Sequence, residues 1–411
     1  MRRGPAPPSR TPTLQLTRRA LLLGGSGLVL TGCASAGGPS APEATLQAPA
    51  PEATASTLPG APVKVGLLLP FSKAGEAAKL AAELKQAGEL ALFEVSQSNI
   101  ALLPKDTGGT PQGAAAAAKS AIGDGAELIV GPLYAAEVQA VAPVARQSGI
   151  PVLAFSNDRK VAGGGVYLLS FLAGQEIVRE VSYAASTGRK GFAALLPQTP
   201  YGSLLEQVFR TAVSEAGGKV IALERYPIDS SGIADPVNRL RIQIASARKQ
   251  GATVDAVLVP GGQDTLPMVA PMLPNNVLDS NQVKLLGSSG WDYPTIGQEA
   301  GLAGGWYAAP DPSGWNGFAQ RYKASYGTAP LRLASLGYDA VSLALALASG
   351  APGSRFTPES LTRASGFAGV DGLFRLRADG TCERGLAILQ VTRTGPQVVD
   401  SAPSAFSVAQ F

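Results

Sequence analysis

The residues best suited to bind a small molecule follow the ends of predicted strands. In the first half of the chain these residues are Ser72, Tyr134, Phe155, Ser156 and Asn157, and in the second half they are Tyr201, Asp264, Trp291 and Asp292. They offer hydroxyl, amide, carboxylate and aromatic groups, which suit the binding of a polar or amphiphilic solute. Ligands of open parallel sheets gather at the carboxyl ends of the strands, so we predict that these residues form a ligand-binding site.

Some of these residues also fit a structural role. Ser72, Ser156, Asp264 and Asp292 are residue types that cap a following helix. The aromatic residues fit that alternative less well, because they follow strands and do not continue the core pattern. We therefore expect the aromatic residues to contact the ligand.

Catalytic chemistry has little support in the sequence. The chain has no histidine, which excludes serine–histidine and cysteine–histidine nucleophiles and most zinc sites. Ser246 and Lys249 match a Ser-x-x-Lys nucleophile pattern, but they lie in a predicted helix without a Lys-Thr-Gly partner. Cys382 has no histidine or second cysteine beside it, and residues 163–165 are glycines of a turn without a dinucleotide fingerprint. We predict no enzyme, no cofactor and no metal site.

The N-terminus predicts export and lipidation. Five arginines and no acidic residue precede an apolar run at residues 20–30, which is too short to span a bilayer and has the length of a signal-peptide core. Leu30-Thr31-Gly32-Cys33 resembles the lipobox of bacterial lipoprotein precursors. We predict a signal peptide at residues 1–32, a lipid on Cys33 and a disordered Pro- and Ala-rich linker up to residue 62. Arg18-Arg19 also fits a twin-arginine signal, so the export route stays open.

Charge and composition limit the class of partner. The chain has 34 basic and 30 acidic residues, and removing the five arginines of the first 33 residues leaves 29 against 30, a net charge of −1. No basic surface for nucleic acid is therefore expected. Ala34 rather than Asp after the cysteine favours the outer over the inner membrane, by resemblance to enterobacterial sorting. The predicted location is the periplasm, with the membrane as a partner through the lipid.

Short apolar runs alternate with helical patterns in two successive series. The predicted strands of the first series cover residues 63–69, 100–103, 128–130 and 151–155, and those of the second cover residues 192–196, 220–223, 254–259 and 283–286. Such runs are typical of strands covered on both faces by crossover helices. The predicted fold class is α/β, with two doubly wound Rossmann-like lobes. Antiparallel strands at residues 372–377 and 385–392, joined by a turn at Asp379-Gly380, are expected near the end.

Several motifs resemble type 1 periplasmic binding proteins of the leucine/isoleucine/valine-binding family. They are the stretches at residues 65–70, 128–132, 149–152, 201–202 and 336–340. The resemblance implies two discontinuous lobes joined by three crossovers, which we place near residues 171–174, 308–310 and 366–369. The first lobe would then contain residues 63–172 and 309–366, and the second residues 173–308 and 367–400, followed by a tail at residues 401–411.

A narrower resemblance links the chain to the lipoproteins of this fold called penicillin-binding-protein activators. It rests on Gly290-Trp291-Asp292 and on residues 304–310 and 332–336. Two functions follow from the resemblances. The first is the substrate-binding component of an ABC-type importer for a branched-chain-like amino acid, with an inner-membrane permease as partner. The alternative is an activator that regulates a peptidoglycan synthase.

The chain departs from the amino-acid-binding pattern of the family. Transport members commonly place Ser or Thr after the Gly-Pro turn to bind the ligand carboxylate, whereas this chain has Ala135-Ala136 there. They also carry an acid for the ligand ammonium a few residues after a Gly-Gly pair, and Asp264 is the closest acid to that position here. An α-amino acid bound in the usual place would therefore need Ser156, Asn157 and Asp264 as substitutes.

Overall fold

Five short apolar strands form the first of two open sheets. The computed structural model describes residues 61–95, 98–228, 232–274, 278–279 and 282–406, so the predicted signal peptide, Cys33 and the linker up to residue 60 lie outside the described residues. The strands of the first sheet are β1 (Val63–Leu69), β2 (Ile100–Asp106), β3 (Leu128–Val130), β4 (Val152–Ala154) and β5 (Val166–Leu168). Their order is β2-β1-β3-β4-β5 and all pairs are parallel.

Both faces of this sheet are covered, as the unbroken apolar runs predict. The covering helices of the first series are α1 (Glu76–Phe93), α2 (Pro111–Gly123) and α3 (Ala135–Gln147). Val65 and Leu67 of β1 pack in the same cluster as Leu84 of α1, whereas Leu68 packs with the alanines of α2. Alternate residues of one strand therefore enter two different cores, which is why the strand has almost no polar positions.

The second lobe repeats this design with a wider sheet. Its parallel strands are β6 (Gly191–Pro197), β7 (Lys219–Tyr226), β8 (Ala256–Leu258), β9 (Lys284–Leu286) and β10 (Trp306–Ala309), and its helices are α4 (Gln175–Ser186), α5 (Pro200–Glu215), α6 (Ala234–Lys249) and α7 (Leu266–Val269). The predicted α/β class with two doubly wound lobes is confirmed.

The chain crosses back to the first lobe after β10. There it forms α8 (Pro312–Tyr326), α9 (Ser335–Leu347), α10 (Pro358–Leu361) and a three-stranded antiparallel sheet of β11 (Phe367–Gly369), β12 (Gly372–Leu376) and β13 (Cys382–Arg384). It then returns to the second sheet with the antiparallel strands β14 (Ala387–Thr392) and β15 (Gly395–Asp400), so that the order there is β15-β14-β10-β9-β8-β6-β7.

Helices α1 and α9 approach each other closely at two glycines. A Cβ atom on Gly337 of α9 would lie 2.2 Å from the Leu84 carbonyl oxygen of α1, and one on Gly88 would lie 2.9 Å from Val341 Cγ2. Only glycine permits this separation. Two residues after Gly337, the buried Asp339 accepts a hydrogen bond of 2.7 Å from the Val370 backbone N–H.

The third crossing lies later in the chain than residues 366–369, where the sequence placed it. Phe374, Leu376 and Cys382 belong to the same apolar cluster as β1 and α1, so β11 to β13 pack on the first lobe. The Gly380 carbonyl also accepts a 2.7 Å hydrogen bond from the Leu168 backbone N–H of β5. The strand predicted at residues 385–392 corresponds to β14, which pairs with β10 in the other lobe, and the partner of β12 across the turn at Asp379-Gly380 is β13. The chain crosses between Arg384 and Ala387.

Candidate functional site

Two cavities lie beside the crossings between the lobes. The larger, which we call the first-lobe cavity, has a volume of about 450 Å³. The smaller, which we call the hinge cavity, has a volume of about 120 Å³. Phe171, in the first crossing, lines both.

The carboxyl ends of three neighbouring strands form a wall of the first-lobe cavity. Leu133 and Tyr134 follow β3, Phe155 and Asn157 follow β4, and Ser170 follows β5. The remaining lining residues come from α1 and from the segment that precedes and begins α9: Glu76, Ala77, Leu80, Leu84, Leu333 and Leu336. The lining is thus mainly apolar and aromatic, with one amide, one carboxylate and the hydroxyls of Ser170 and Tyr134.

The structure brings three of the predicted site residues into this cavity: Tyr134, Phe155 and Asn157. Tyr134 is the residue before α3, and its backbone N–H donates to Glu137 Oε2 at 3.2 Å. The ammonium of Lys73 lies 4.2 Å from the centre of the Tyr134 ring, within cation–π range. Phe155 is buried and Asn157 is exposed, so the cavity is closed at its base and open to solvent at Asn157.

Ser72 and Ser156 have local structural roles. Ser156 is buried, and its hydroxyl accepts a 3.2 Å hydrogen bond from the Asp158 backbone N–H. Ser72 is exposed and its backbone N–H donates to Asp106 Oδ1 at 3.1 Å. The Ser72 hydroxyl also donates to the Asp106 carboxylate, and this bond, with the backbone bond, lowers the pKa of Asp106. Neither serine lines either cavity.

Trp291 contradicts its predicted role. The side chain is fully buried in the core of the second lobe, and the ring N–H donates to the Val259 carbonyl oxygen at 2.9 Å. The Cα atoms of Gly287 and Gly305 sit so close that a Cβ atom on either would lie under 3.0 Å from the ring. A short 3-10 turn at Ser289–Trp291 directs the ring back under its own sheet, so it packs in the core and does not reach the cleft.

The other residues predicted in the second lobe are dispersed. Tyr201 lines the hinge cavity, and burial raises the pKa of its hydroxyl to about 12. Asp264 is exposed and lines neither cavity. Asp292 accepts a hydrogen bond from the Tyr307 hydroxyl at 3.4 Å. Although Asp292 as a whole is exposed, the protein around its carboxyl group raises the pKa, and the positive charge of Arg332 in the other lobe partly offsets this.

Residues from all three crossings enclose the hinge cavity. Phe171 to Ala173 belong to the first crossing, Ala308 to Pro310 to the second, and Arg384 to Leu386 to the third. Gln175, the first residue of α4, ties the lobes together: its amide nitrogen donates to the Cys382 carbonyl, and its amide oxygen accepts from the Arg384 backbone N–H at 3.3 Å.

Charged residues that were not predicted as site residues occupy the hinge. Arg384 has a side chain that is 1% exposed, lies 3.3 Å from Asp339 and stacks 4.5 Å from the centre of the Phe171 ring. Glu176 is also buried, which raises the pKa of its carboxyl group. Of Arg384, Glu176 and Phe171, only Phe171 was indicated by the sequence, because it lies in a predicted crossing. Arg384 gave none, since it follows a turn in which charged residues are normally solvated.

The described residues form neither a metal site nor a reactive thiol. Within the described ranges no group of three or more carboxylate or cysteine side chains is placed to hold a metal ion. Burial raises the pKa of the Cys382 thiol to about 11, so this residue is a neutral core side chain at physiological pH. No helix of the described part of the chain is both long and apolar enough to cross a membrane.

Comparison with known proteins identifies the family. The model of the periplasmic binding protein family matches residues 62–396, and the chain belongs to that family. Members of this family are periplasmic binding proteins and are not enzymes. The predicted fold class and the predicted family are thereby confirmed.

Solved structures of the same fold cover most of the chain. A putative branched-chain amino acid ABC transporter from Rhodospirillum rubrum has a TM-score of 0.68 at 20% identity, over 82% of this chain and 100% of that one. A branched-chain amino acid ABC transporter periplasmic ligand-binding protein from Burkholderia xenovorans has a TM-score of 0.62 at 18% identity, over 83% and 96%. An ABC transporter solute-binding protein from Rhodopseudomonas palustris, in complex with 3,4-dihydroxybenzoic acid, has a TM-score of 0.55 at 18% identity, over 86% and 100%.

Among curated proteins, an uncharacterised protein of Rickettsia prowazekii is 22% identical over 178 residues. This match spans 43% of the present chain and about half (47%) of the Rickettsia protein.

Proposed function

We propose that this chain is the solute-binding component of an ABC-type importer and that it captures a compact amphiphilic solute between its lobes. The observation that carries the proposal is the first-lobe cavity, in which Tyr134, Phe155 and Asn157 converge at the carboxyl edge of the sheet. Its volume of about 450 Å³ lies in the range of small-molecule sites, and apolar walls with a few polar groups are typical of them. The transport proteins of the same fold support the same function.

Branched-chain amino acids and aromatic acids are the proposed solute classes. Leu80, Leu133 and Leu336 suit an aliphatic or aromatic group, and Asn157 and Ser170 suit a polar one. The solved relatives include a protein in complex with 3,4-dihydroxybenzoic acid, which has this amphiphilic character. The Ala135-Ala136 departure means that the carboxylate of either class must be bound elsewhere than in the usual place of the family.

Binding is tested by calorimetry and thermal unfolding of the purified full chain in detergent. The probes are leucine, isoleucine, benzoate and 4-hydroxybenzoate. A solute at about 100 times its dissociation constant adds about 2.7 kcal/mol to the free energy of unfolding. At least one probe should bind and raise the unfolding temperature. If none of the four does so, the proposal is wrong.

Replacement of Tyr134 tests whether the first-lobe cavity is the site. Tyr134→Ala removes an aromatic wall of the cavity, so we expect solute affinity to fall up to about tenfold, since an aromatic contact is worth about 0.5–1.5 kcal/mol. The control is Tyr183→Ala, because Tyr183 packs on Trp306 and lines neither cavity. Equal affinities of the two variants would place the solute elsewhere.

The proposed importer is a lipoprotein of the cell envelope. Cys33 follows the lipobox-like sequence, and the linker separates it from the folded residues that begin near Val63. Labelling of cells with a palmitate analogue should mark the chain and should fail in Cys33→Ser. A labelled Cys33→Ser chain would rule out this anchor.

The second candidate function is activation of a peptidoglycan synthase. It is supported by the motifs shared with activator lipoproteins, of which residues 304–310 run along β10 into the second crossing and residues 332–336 border the first-lobe cavity. Affinity purification from solubilised membranes separates the candidates. Copurification of a permease and an ATPase supports the importer, whereas a synthase without them supports the activator.

A further inference from the structure

Arg384 lines the hinge cavity, and its guanidinium has one unpaired edge. Nη1 lies 3.3 Å from Asp339 Oδ2, but Nε and Nη2 have no hydrogen-bond partner among the described residues although the side chain is buried. The N–H bonds of Nε and Nη2 lie parallel on the same side of a guanidinium, and this edge is the one that binds a carboxylate through two hydrogen bonds. A buried charged donor without a partner is costly, so this edge is suited to a bound anion.

Glu176 also lines this cavity and has an unpaired carboxylate oxygen. Glu176 Oε2 accepts a 2.8 Å hydrogen bond from the Gly174 backbone N–H, whereas Oε1 is buried without a partner among the described residues. Tyr201 and Ser289 add hydroxyl groups to the lining. The cavity therefore offers a fixed cation and an acidic group that can receive either a proton or an ammonium group.

The size of the hinge cavity limits what enters it. Its volume of about 120 Å³ corresponds to about four water molecules at ~30 Å³ each, which is room for a carboxylate and the carbon atom that bears it. Phe171 lines this cavity on one side and the first-lobe cavity on the other. A larger solute bound by its carboxylate here would have to extend past Phe171 to reach the apolar walls of the first-lobe cavity.

We propose that the hinge cavity is the carboxylate site of the solute, with the Nε–Nη2 edge of Arg384 binding the carboxylate oxygens. This inference rests on the proposed solute-binding function and assigns a place to the carboxylate that both proposed solute classes carry. It also gives the acid group a place that does not use Ser or Thr after the Gly-Pro turn. Because all three crossings enclose the cavity, the bound carboxylate would contact the segments that connect the two lobes.

An amino acid and a simple acid would use Glu176 differently. The ammonium group of leucine would pair with Glu176 Oε1, so Glu176→Gln should weaken the binding of leucine. Benzoate carries no ammonium group, and its carboxylate requires Glu176 to be protonated to avoid repulsion. Glu176→Gln, which is neutral, should therefore leave benzoate affinity equal or tighter at neutral pH.

The test compares each acid with its amide on the wild-type full chain in detergent, using leucine against leucinamide and benzoate against benzamide. Calorimetry should show that each acid binds about tenfold or more tightly than its amide, because the neutral amide cannot form the charged hydrogen-bonded pair with Arg384. Equal affinity for acid and amide in the wild type overturns the carboxylate site while leaving solute binding intact. Binding of no probe at all refutes the proposed function itself.

Arg384→Lys then tests the residue. Lysine keeps the charge near Asp339 but lacks the two parallel donors. The affinity for each acid should therefore fall about tenfold, to about the affinity for its amide. The matched control is Arg375→Lys, because Arg375 lies on the neighbouring strand, pairs with Glu383 at 2.8 Å and is outside the cavity. A preserved acid preference in Arg384→Lys overturns the assignment. If this variant does not fold, the wild-type acid and amide comparison still decides.

Discussion

Replacing Trp291 by phenylalanine should lower stability and leave solute affinity unchanged. The substitution leaves the buried Val259 carbonyl oxygen without its 2.9 Å donor, at a cost of about 1–3 kcal/mol. It also opens a cavity of about 40 Å³, which at ~24 cal/mol per Å³ costs about 1 kcal/mol. Together the free energy of unfolding should fall by about 2–4 kcal/mol.

The assay is denaturant unfolding followed by circular dichroism, with solute affinity measured by calorimetry on the folded variant. Trp315→Phe is the control, because Trp315 is only half-buried and should cost less. Solute affinity of Trp291→Phe should stay within about twofold of the wild type, since the ring is in the core of the second lobe and lines neither cavity. Lost binding with unchanged stability would refute this reasoning and restore the role that the sequence predicted.

Two further predictions concern the first lobe. Gly337→Ala places a Cβ atom 2.2 Å from the Leu84 carbonyl oxygen, so the free energy of unfolding should fall by about 1–3 kcal/mol and the unfolding temperature with it. The control Gly123→Ala, whose Cβ atom would have no atom within 4 Å, should be neutral or stabilising. Equal effects of the two substitutions would contradict the close α1–α9 contact. Burial raises the pKa of Asp339 to about 6 from 3.8, so the folded state binds the proton more tightly than the unfolded state, and this group makes stability fall as pH rises from about 4 to 6. Asp339→Asn should remove that part of the pH dependence in denaturant titrations, and an unaltered slope would show that Asp339 titrates normally.

The architecture was readable from the sequence because it depends on local patterns. The run at residues 63–69 has apolar residues without alternation, and both faces of β1 are indeed buried. The crossings near residues 171–174 and 308–310 were placed by the resemblance to type 1 periplasmic binding proteins, whose fold implies three crossovers between two lobes. β5, which follows the glycine turn at residues 163–165, was not predicted.

The site was only partly readable, because its remaining members meet through contacts distant in sequence. Tyr134, Phe155 and Asn157 follow strands that are neighbours in the sheet, so a rule about strand ends found them. Arg384 is buried by Phe171 and Asp339, which come from two other segments of the chain. Trp291 follows β9 as the rule requires, but the turn that begins at Ser289 directs its ring into the core.

The late third crossing has a consequence for how the protein is made. The core of the first lobe includes Phe374, Leu376 and Cys382, so its apolar cluster stays incomplete until almost the whole chain has been synthesised. A ribosome adds about 5–20 residues per second, which leaves more than ten seconds during which the early strands lack their partners. We therefore expect the first lobe to stay unfinished until the end of synthesis, and a deletion that removes β12 and β13 to leave the first lobe, rather than the second, aggregation-prone.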